Sequence, residues 1–129
     1  MRVIERDVLC ATAPLQVCVG VPFAYKAAIL SMDRLFRDFN VQGIFLTDAS
    51  NAFNSFNRPA ALHNVPHCCP ALAQIFQNMY IRPIRLFVAN SGEILSQEGT
   101  CQGNPLKMAI YAVSTIPFIK GLAGACLVC

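Results

Sequence analysis

Apolar side chains recur at helical spacing in three parts of the chain. Residues 22–39 show this pattern after Pro22, which suits the first turn of a helix. Residues 70–80 show it again, with Leu72, Ile75, Phe76 and Met79 on one face. A longer helix is predicted from Pro105 to about Ile116, where Pro117 is expected to end or kink it. Residues 1–9 show no clear period.

Shorter apolar runs predict strands. Residues 44–46 follow Gly43 and predict a buried strand that leads into Asp48. Residues 83–90 and 93–97 predict a hairpin around the turn Asn90-Ser91-Gly92. The order helix, strand, helices, hairpin, helix predicts an α+β fold with an antiparallel sheet covered on one face by helices.

The segment between the predicted strand and residue 70 contains a helix-start signal. Asn57 is a good N-cap and Pro59 fits the first turn, so a short helix is expected that ends before Pro66. The segment also holds side chains that zinc sites use, His63, His67, Cys68 and Cys69. Because a proline separates the two histidines, we expect a loop between two helices there rather than a zinc site.

The composition argues against a free-standing domain. The chain has 129 residues, of which 55% are hydrophobic and 13% charged, whereas globular domains average about 25% charged residues. We therefore expect a fragment whose apolar faces meet other parts of a larger protein. Exposed apolar surface and poor solubility of the isolated chain are the corresponding expectations.

The net charge is +3, without a basic run, so nucleic-acid contact is permitted rather than indicated. Arg82 and Arg85 are the best candidates for it. Seven cysteines, an odd number, and a charged N-terminus without an apolar core indicate reduced thiols and an intracellular location, in cytoplasm or nucleus, rather than secretion. Lys107, Pro117 and Lys120 interrupt the apolar C-terminal region, so no membrane partner is expected.

Asp48 is the candidate for chemistry, because it is the sole acidic residue between Asp38 and Glu93. A lone carboxylate after a strand has two interpretations. It can cap a helix at residues 49–57, or it can bind a metal ion at the carboxyl end of the strand, where sheets of the α/β type present ligands.

Two motifs favour the second interpretation. Residues 48–54 read D-x-x-x-A-F-N, and residues 98–106 read E-G-T-x-Q-G-N-P-L. In this order and at this separation, they resemble the first two palm-domain motifs of reverse transcriptases, especially those of retrotransposon-type elements. The resemblance covers roughly residues 15–122. It implies a partial reverse transcriptase domain over residues 1–129, with a fingers-side segment at about 1–40 and a truncated palm at about 41–129.

The resemblance also implies roles for individual residues. Asp48 and the backbone carbonyl of Ala49 would bind Mg²⁺, or Mn²⁺ in its place, for template-directed nucleotidyl transfer with two metal ions. The ring of Phe53 would lie under the incoming sugar and exclude a 2′-hydroxyl. Gln102 and Gly103 would meet the nucleotide and the template base. The alternatives are that Phe53 is a core residue, and that Gln102 and Gly103 form a helix-entry turn without a ligand.

The third palm motif, which carries the Asp-Asp pair, is absent, since nothing after Glu98 is acidic. One carboxylate cannot hold two Mg²⁺ ions against their repulsion and hydration. The resemblance therefore implies that the isolated chain is inactive. The intact enzyme would act on an RNA or DNA template-primer and dNTPs, together with the rest of the polymerase chain. The alternative is a non-catalytic nucleic-acid-binding or assembly module derived from a mobile element.

Overall fold

The computed structural model describes residues 2–16, 21–38, 40–41, 43–44 and 46–126. These residues form helices and one two-stranded antiparallel sheet, which confirms a mixed α+β class. In chain order the elements are α1 (Arg2–Thr12), α2 (Ala24–Phe36), α3 (Ala52–Ser55), α4 (Arg58–Cys68), α5 (Pro70–Tyr80), β1 (Ile84–Val88), β2 (Gly92–Ser96) and α6 (Lys107–Cys126).

The hydrophobic core lies between helices, not under a sheet. Helix α4 packs against α5 and α6, and α1 closes the core against α5 and α6. The buried members are Val8, Ala61, Val65, Cys69, Leu72, Ala73, Phe76, Tyr80, Ile110, Val113 and Ile116. Leu72 and Phe76 of the apolar face predicted for residues 70–80 thus lie at the centre of the core. Met79 of that predicted face is instead 42% exposed.

The β1–β2 hairpin forms as the sequence predicts, with Ile84 opposite Ser96 and Val88 opposite Gly92. Asn90 and Gly92 take positive φ angles of 63° and 91°, which a tight hairpin turn requires. The expectation that helices cover one face of the sheet is wrong. Apolar side chains on both strands are exposed, since Phe87 retains 76% of its accessible surface, and the principal contacts of each strand are with the other.

Helix α2 forms within the predicted range but stays outside the core. Ala24 is its buried residue. Its larger apolar side chains are exposed, namely Tyr25, Ile29, Leu30, Leu35 and Phe36. Together with the exposed hairpin, α2 confirms the expectation of uncovered apolar surface that follows from the composition.

The buried strand predicted at residues 44–46 is wrong for the residues that the structure describes. Ile44 and Leu46 are not in a strand, and their side chains are 41% and 73% exposed; Phe45 lies outside the described residues. A strand needs a neighbour to satisfy its backbone N–H and C=O groups. The β1–β2 pair accounts for the whole sheet in the described part of the chain, so this segment has no partner there.

Pro66 does not end its helix as predicted, and Pro117 does not end α6, so a kink at Pro117 stays a prediction. Helix α4 continues through Pro66 to Cys68, and α6 continues through Pro117 to Cys126. A proline inside a helix costs about 3 kcal/mol. Val65 and Ile116, each next to one of these prolines, are buried in the core, and their packing offsets that cost. The segment from Pro66 to Cys68, predicted to belong to a loop, is therefore helical, and Cys69 is the single residue between α4 and α5.

The helix ends show where local signals were sufficient. The Asn57 side chain accepts a hydrogen bond from the N–H of Ala60 at 2.9 Å, so the predicted N-cap of α4 is confirmed. Helix α1 was not predicted, because residues 1–9 show no clear period. Val8 of this helix is buried against other helices, and the sequence pattern alone does not reveal that contact. None of the helices in the described residues is both long enough and apolar enough to cross a membrane.

The position of the core predicts how two phenylalanines differ in their contribution to stability. Phe76 is fully buried and Phe87 is 76% exposed. We expect Phe76→Ala to lower the free energy of unfolding by about 3–5 kcal/mol. The matched variant Phe87→Ala should change it by less than about 0.5 kcal/mol. Urea unfolding followed by circular dichroism measures both, and equal losses would contradict this placement of the core.

Candidate functional site

The site is organised by Arg58, at the first turn of α4. Its side chain is 2% exposed. Nε donates to the carbonyl of Gly99 at 2.9 Å, and Nη1 donates to the carbonyl of Ser96 at 2.7 Å. Nη2 donates to the carbonyl of Glu98 at 2.6 Å and to the hydroxyl of Ser96 at 3.0 Å. One guanidinium therefore fixes the whole path of the chain from the end of β2 to Gly99.

Tyr80, the last residue of α5, holds the next part of that connection. Its hydroxyl accepts hydrogen bonds from the N–H of Cys101 at 3.2 Å and from the Asn104 side-chain amide at 2.6 Å. Asn104 in turn accepts from the N–H of Leu106 at 2.9 Å, just before α6 begins. The Tyr80 ring also lies 5.0 Å from the guanidinium carbon of Arg58. We call Arg58 and Tyr80 together the buried clamp.

The charge of Arg58 is buried, and among the described residues no opposite charge is bonded to it. Burial lowers the pKa of the Arg58 guanidinium, because desolvation disfavours its charged form, while Cys101, Tyr80 and Glu98 act in the opposite direction. Arginine nevertheless remains protonated at neutral pH. Backbone carbonyls and the face of an aromatic ring therefore stabilise this cation in place of a carboxylate.

The clamp brings the two motifs of the sequence together. The carbonyl of Phe53 accepts hydrogen bonds from the N–H of Thr100 at 2.6 Å and from its hydroxyl at 3.1 Å. The carbonyl of Phe56 accepts from the N–H of Gly99 at 2.9 Å. Gly99 has a φ of +53°, and a Cβ atom there would overlap the backbone of Asn54. The close contact between the two motifs thus depends on glycine.

Phe53 is half-buried and is not a member of the core. Its ring meets Tyr111 of α6 edge-on, with ring centres 5.2 Å apart. The ammonium nitrogen of Lys107 lies 5.3 Å from the centre of the Phe53 ring. The backbone of Phe53 is thus held by Thr100 and its ring by α6, so this aromatic side chain has a fixed position beside the second motif.

Part of the second motif borders a cleft of about 350 Å³. The cleft lies between α3, the hairpin and the connection to α6, and its lining consists of Asn54, Leu86, Ser96, Glu98, Thr100, Cys101 and Gln102. Gln102 is exposed, so its amide is accessible as a donor and acceptor. Gly103 is also exposed, with a φ of +87° and open space where a side chain would be.

Asp48 and Ala49 lie in the exposed segment before α3, outside regular structure, and neither lines the cleft. The interpretation of Asp48 as a helix cap is wrong, because Asn51 precedes the first residue of α3. Its predicted position at the end of a strand is also wrong, for lack of the strand. The described residues contain no group of three or more His, Cys, Asp or Glu side chains that could hold a metal ion. Asp48 alone does not fit a two-metal site.

Arg82 and Arg85 lie apart from the cleft lining. Arg82 is exposed between α5 and β1, where it borders a groove of about 260 Å³ that also contains both clamp residues and Gln97. Arg85 is exposed on β1, with its guanidinium 3.8 Å from the carboxylate of Glu93 on β2. The two arginines therefore differ in their surroundings, although the sequence presents them as a pair.

Sequence reasoning missed the clamp and Lys107. Arg58 stands directly after an N-cap, where an arginine is normally solvated, and no local pattern distinguishes it from a surface residue. Tyr80 is the last residue of α5, and the apolar face predicted for residues 70–80 did not include it. Lys107 gave the one usable signal, a cation within an apolar helix start.

A scan of protein-family models found no match to this chain, and neither did searches of curated proteins and of solved structures. These comparisons neither support nor refute the resemblance to reverse transcriptases. What the chain does has to be inferred from its own residues and contacts.

The tight packing at Gly99 leads to a prediction with an internal control. Gly99→Ala should lower the free energy of unfolding by about 2–5 kcal/mol, from the strained left-handed backbone and the overlap with Asn54. Gly103→Ala introduces a similar backbone strain in open space, so it should cost only about 1–2 kcal/mol. Thermal and urea unfolding compare the two variants. Equal costs would show that the motifs do not meet closely at Gly99.

Proposed function

We propose that this chain is part of an RNA-directed DNA polymerase and carries the first two palm motifs together with a fingers-side segment. In the intact protein, it would add nucleotides to a primer on an RNA or DNA template, inside the cell. Asp48 is the one carboxylate of this chain to which the resemblance gives a metal-binding role. The isolated chain is therefore expected to be inactive, and the rest of the polymerase chain would supply the remaining metal ligands.

The observation that carries this proposal is the contact between the two motifs. Phe53 and Thr100 are far apart in the sequence, yet two hydrogen bonds join them. A nucleotide site built from both motifs requires such proximity, whereas two chance matches do not. The contact supports the proposal because the motifs were identified from sequence alone, without reference to their positions in space.

The resemblance gives the roles proposed for this chain's residues, and the positions of Phe53, Gln102 and Gly103 support them. Phe53 has a ring held by Tyr111 and Lys107, and a rigid ring can exclude a 2′-hydroxyl by volume. Gln102 and Gly103 are exposed at the turn before α6, where an amide and an open backbone can meet a nucleotide and a template base. Asp48 and the carbonyl of Ala49 are exposed and would serve as ligands to Mg²⁺ or Mn²⁺.

Primer extension by the complete reading frame that contains this chain tests the proposal. We expect Mg²⁺-dependent DNA synthesis that Asp48→Asn lowers by at least about 100-fold, beyond the roughly 10- to 100-fold cost of losing a group beside a metal ligand. Asp38→Asn is the matched control, because Asp38 is also an exposed aspartate but lies outside the motifs. It should retain full activity.

Two results would contradict the proposal in different ways. If the complete frame made no DNA while remaining folded, the polymerase function would be wrong. If Asp48→Asn were as active as Asp38→Asn, the polymerase function would be retained, but the assignment of Asp48 as a metal ligand would be wrong.

The second candidate function is a nucleic-acid-binding or assembly module without catalysis. The exposed Arg82, beside the groove that contains the clamp, favours it. Arg85 is a weaker phosphate ligand in this arrangement, because the carboxylate of Glu93 lies 3.8 Å away. This function needs no metal, and its affinity for nucleic acid should fall as salt rises.

Single-stranded RNA binding measured by fluorescence anisotropy between about 50 and 200 mM salt tests the second candidate. Arg82→Ala should weaken binding and reduce the slope of log affinity against log salt by about 1. Arg85→Ala should have a smaller effect, because Glu93 already offsets its charge. Under this function Asp48→Asn leaves binding unchanged. Equal effects of the two arginine variants would argue against a contact centred on Arg82.

A further inference from the structure

The two histidines of the chain are neighbours on the surface of α4. The sequence contains only His63 and His67. Both are exposed, and their ring centres are 5.0 Å apart, with 63° between the ring planes. Because both histidines of this sequence belong to the pair, any imidazole signal measured on this chain comes from this part of α4.

The pair exists because α4 does not stop at Pro66. Residues four apart lie on one face of a helix, so the continuous helix places both imidazoles above one another. The opposite side of α4 carries Ala61 and Val65, which are buried in the core. Packing therefore fixes the orientation of the helix, and the histidines point away from the protein interior.

The distance between the rings matches that of two imidazoles bound to one ion. A ring nitrogen lies about 2.1 Å from a bound Zn²⁺ ion, which puts the ring centre about 3.2 Å from the metal. At ligand–metal–ligand angles of about 90–110°, the two ring centres are then about 4.5–5.2 Å apart. The observed 5.0 Å lies within this range, so the separation of the two rings is compatible with both binding one ion.

We propose that His63 and His67 form a binding site for a divalent transition-metal ion of the borderline class, with Cu²⁺ bound more tightly than Ni²⁺ or Zn²⁺. Imidazole suits these ions, and this order follows their general affinities. No cluster of three or more His, Cys, Asp or Glu ligands occurs among the described residues, so water fills the other coordination positions. This site is independent of the polymerase proposal and of Asp48.

Metal binding at this pair should also tighten the end of α4. Pro66 has no N–H, so the helix lacks the bond that would normally reach the carbonyl of Leu62. An ion held by His63 and His67 bridges this turn from the outside. The N–H of Cys69, which donates to the carbonyl of Val65 at 2.8 Å, closes the next, overlapping turn at the end of α4. Bound metal should therefore slow hydrogen exchange at Cys69 and raise the melting temperature.

The test is a titration of the full chain with Zn²⁺, and separately with Cu²⁺, followed through the imidazole NMR signals. With two histidines in the sequence, each signal is assigned by the loss of one signal in His63→Asn or His67→Asn. We expect both imidazoles to respond at the same metal concentration, and a chelator to reverse the change. Each single variant should lower the affinity at least about tenfold, because the second imidazole then no longer binds intramolecularly.

Cysteine thiolates are the competing explanation, and Cys68→Ser is the control for it. Cys68 is the half-buried thiol next to His67, and its replacement should leave the imidazole response unchanged. The proposal is overturned if one imidazole responds without the other, if either histidine variant binds as tightly as the original chain, or if Cys68→Ser abolishes binding. If hydrogen exchange at Cys69 were unchanged when the site is saturated with metal, the proposed stabilisation of the end of α4 would be wrong.

Discussion

The buried guanidinium of Arg58 is the interaction on which the rest of this structure depends. Removing a charge from water costs several kcal/mol, so such a group persists only where its donors are satisfied. Here three consecutive donors meet the carbonyls of Ser96, Glu98 and Gly99, and the Tyr80 ring covers the group. The connection between β2 and α6 contains no regular structure of its own. Its conformation is therefore set by the helical core, through Arg58 and Tyr80.

This constraint explains how the candidate site can be ordered although the sheet is small. In a site built on strands, the sheet would position the reacting groups; here α4, α5 and α6 position Phe53 and the turn from Gly99 to Asn104. Helix α4 also takes part in both the candidate functional site and the proposed metal site. Its first residue, Arg58, holds the second motif, and its last turns carry the histidine pair. The apolar surfaces of α2 and the hairpin lie outside this framework and are exposed.

Local sequence signals predicted those elements that are stabilised mainly by interactions between residues close together in the chain. The N-cap at Asn57, the apolar face of α5 and the hairpin turn at Asn90–Gly92 each carry their physical cause within a few residues. The failures share the opposite property. Residues 44–46 have the composition of a strand but no partner strand in the described chain, and Pro66 lies in a helix because the neighbouring Val65 is buried between other helices. Partner strands and burial depend on contacts distant in sequence.

The same division holds for the candidate site. The sequence by itself determined which residues are candidates for chemistry, namely the lone carboxylate Asp48 and the two motifs around Phe53 and Gln102, because spacing and residue type are properties of the chain. Only the tertiary structure decided that Phe53 and Thr100 touch and that Asp48 is exposed outside any strand. The tertiary structure also decided that Arg58 is buried at the centre of the candidate site. The reason is physical: whether a polar group is solvated or buried depends on what surrounds it, and those surroundings come from segments that the local pattern does not contain.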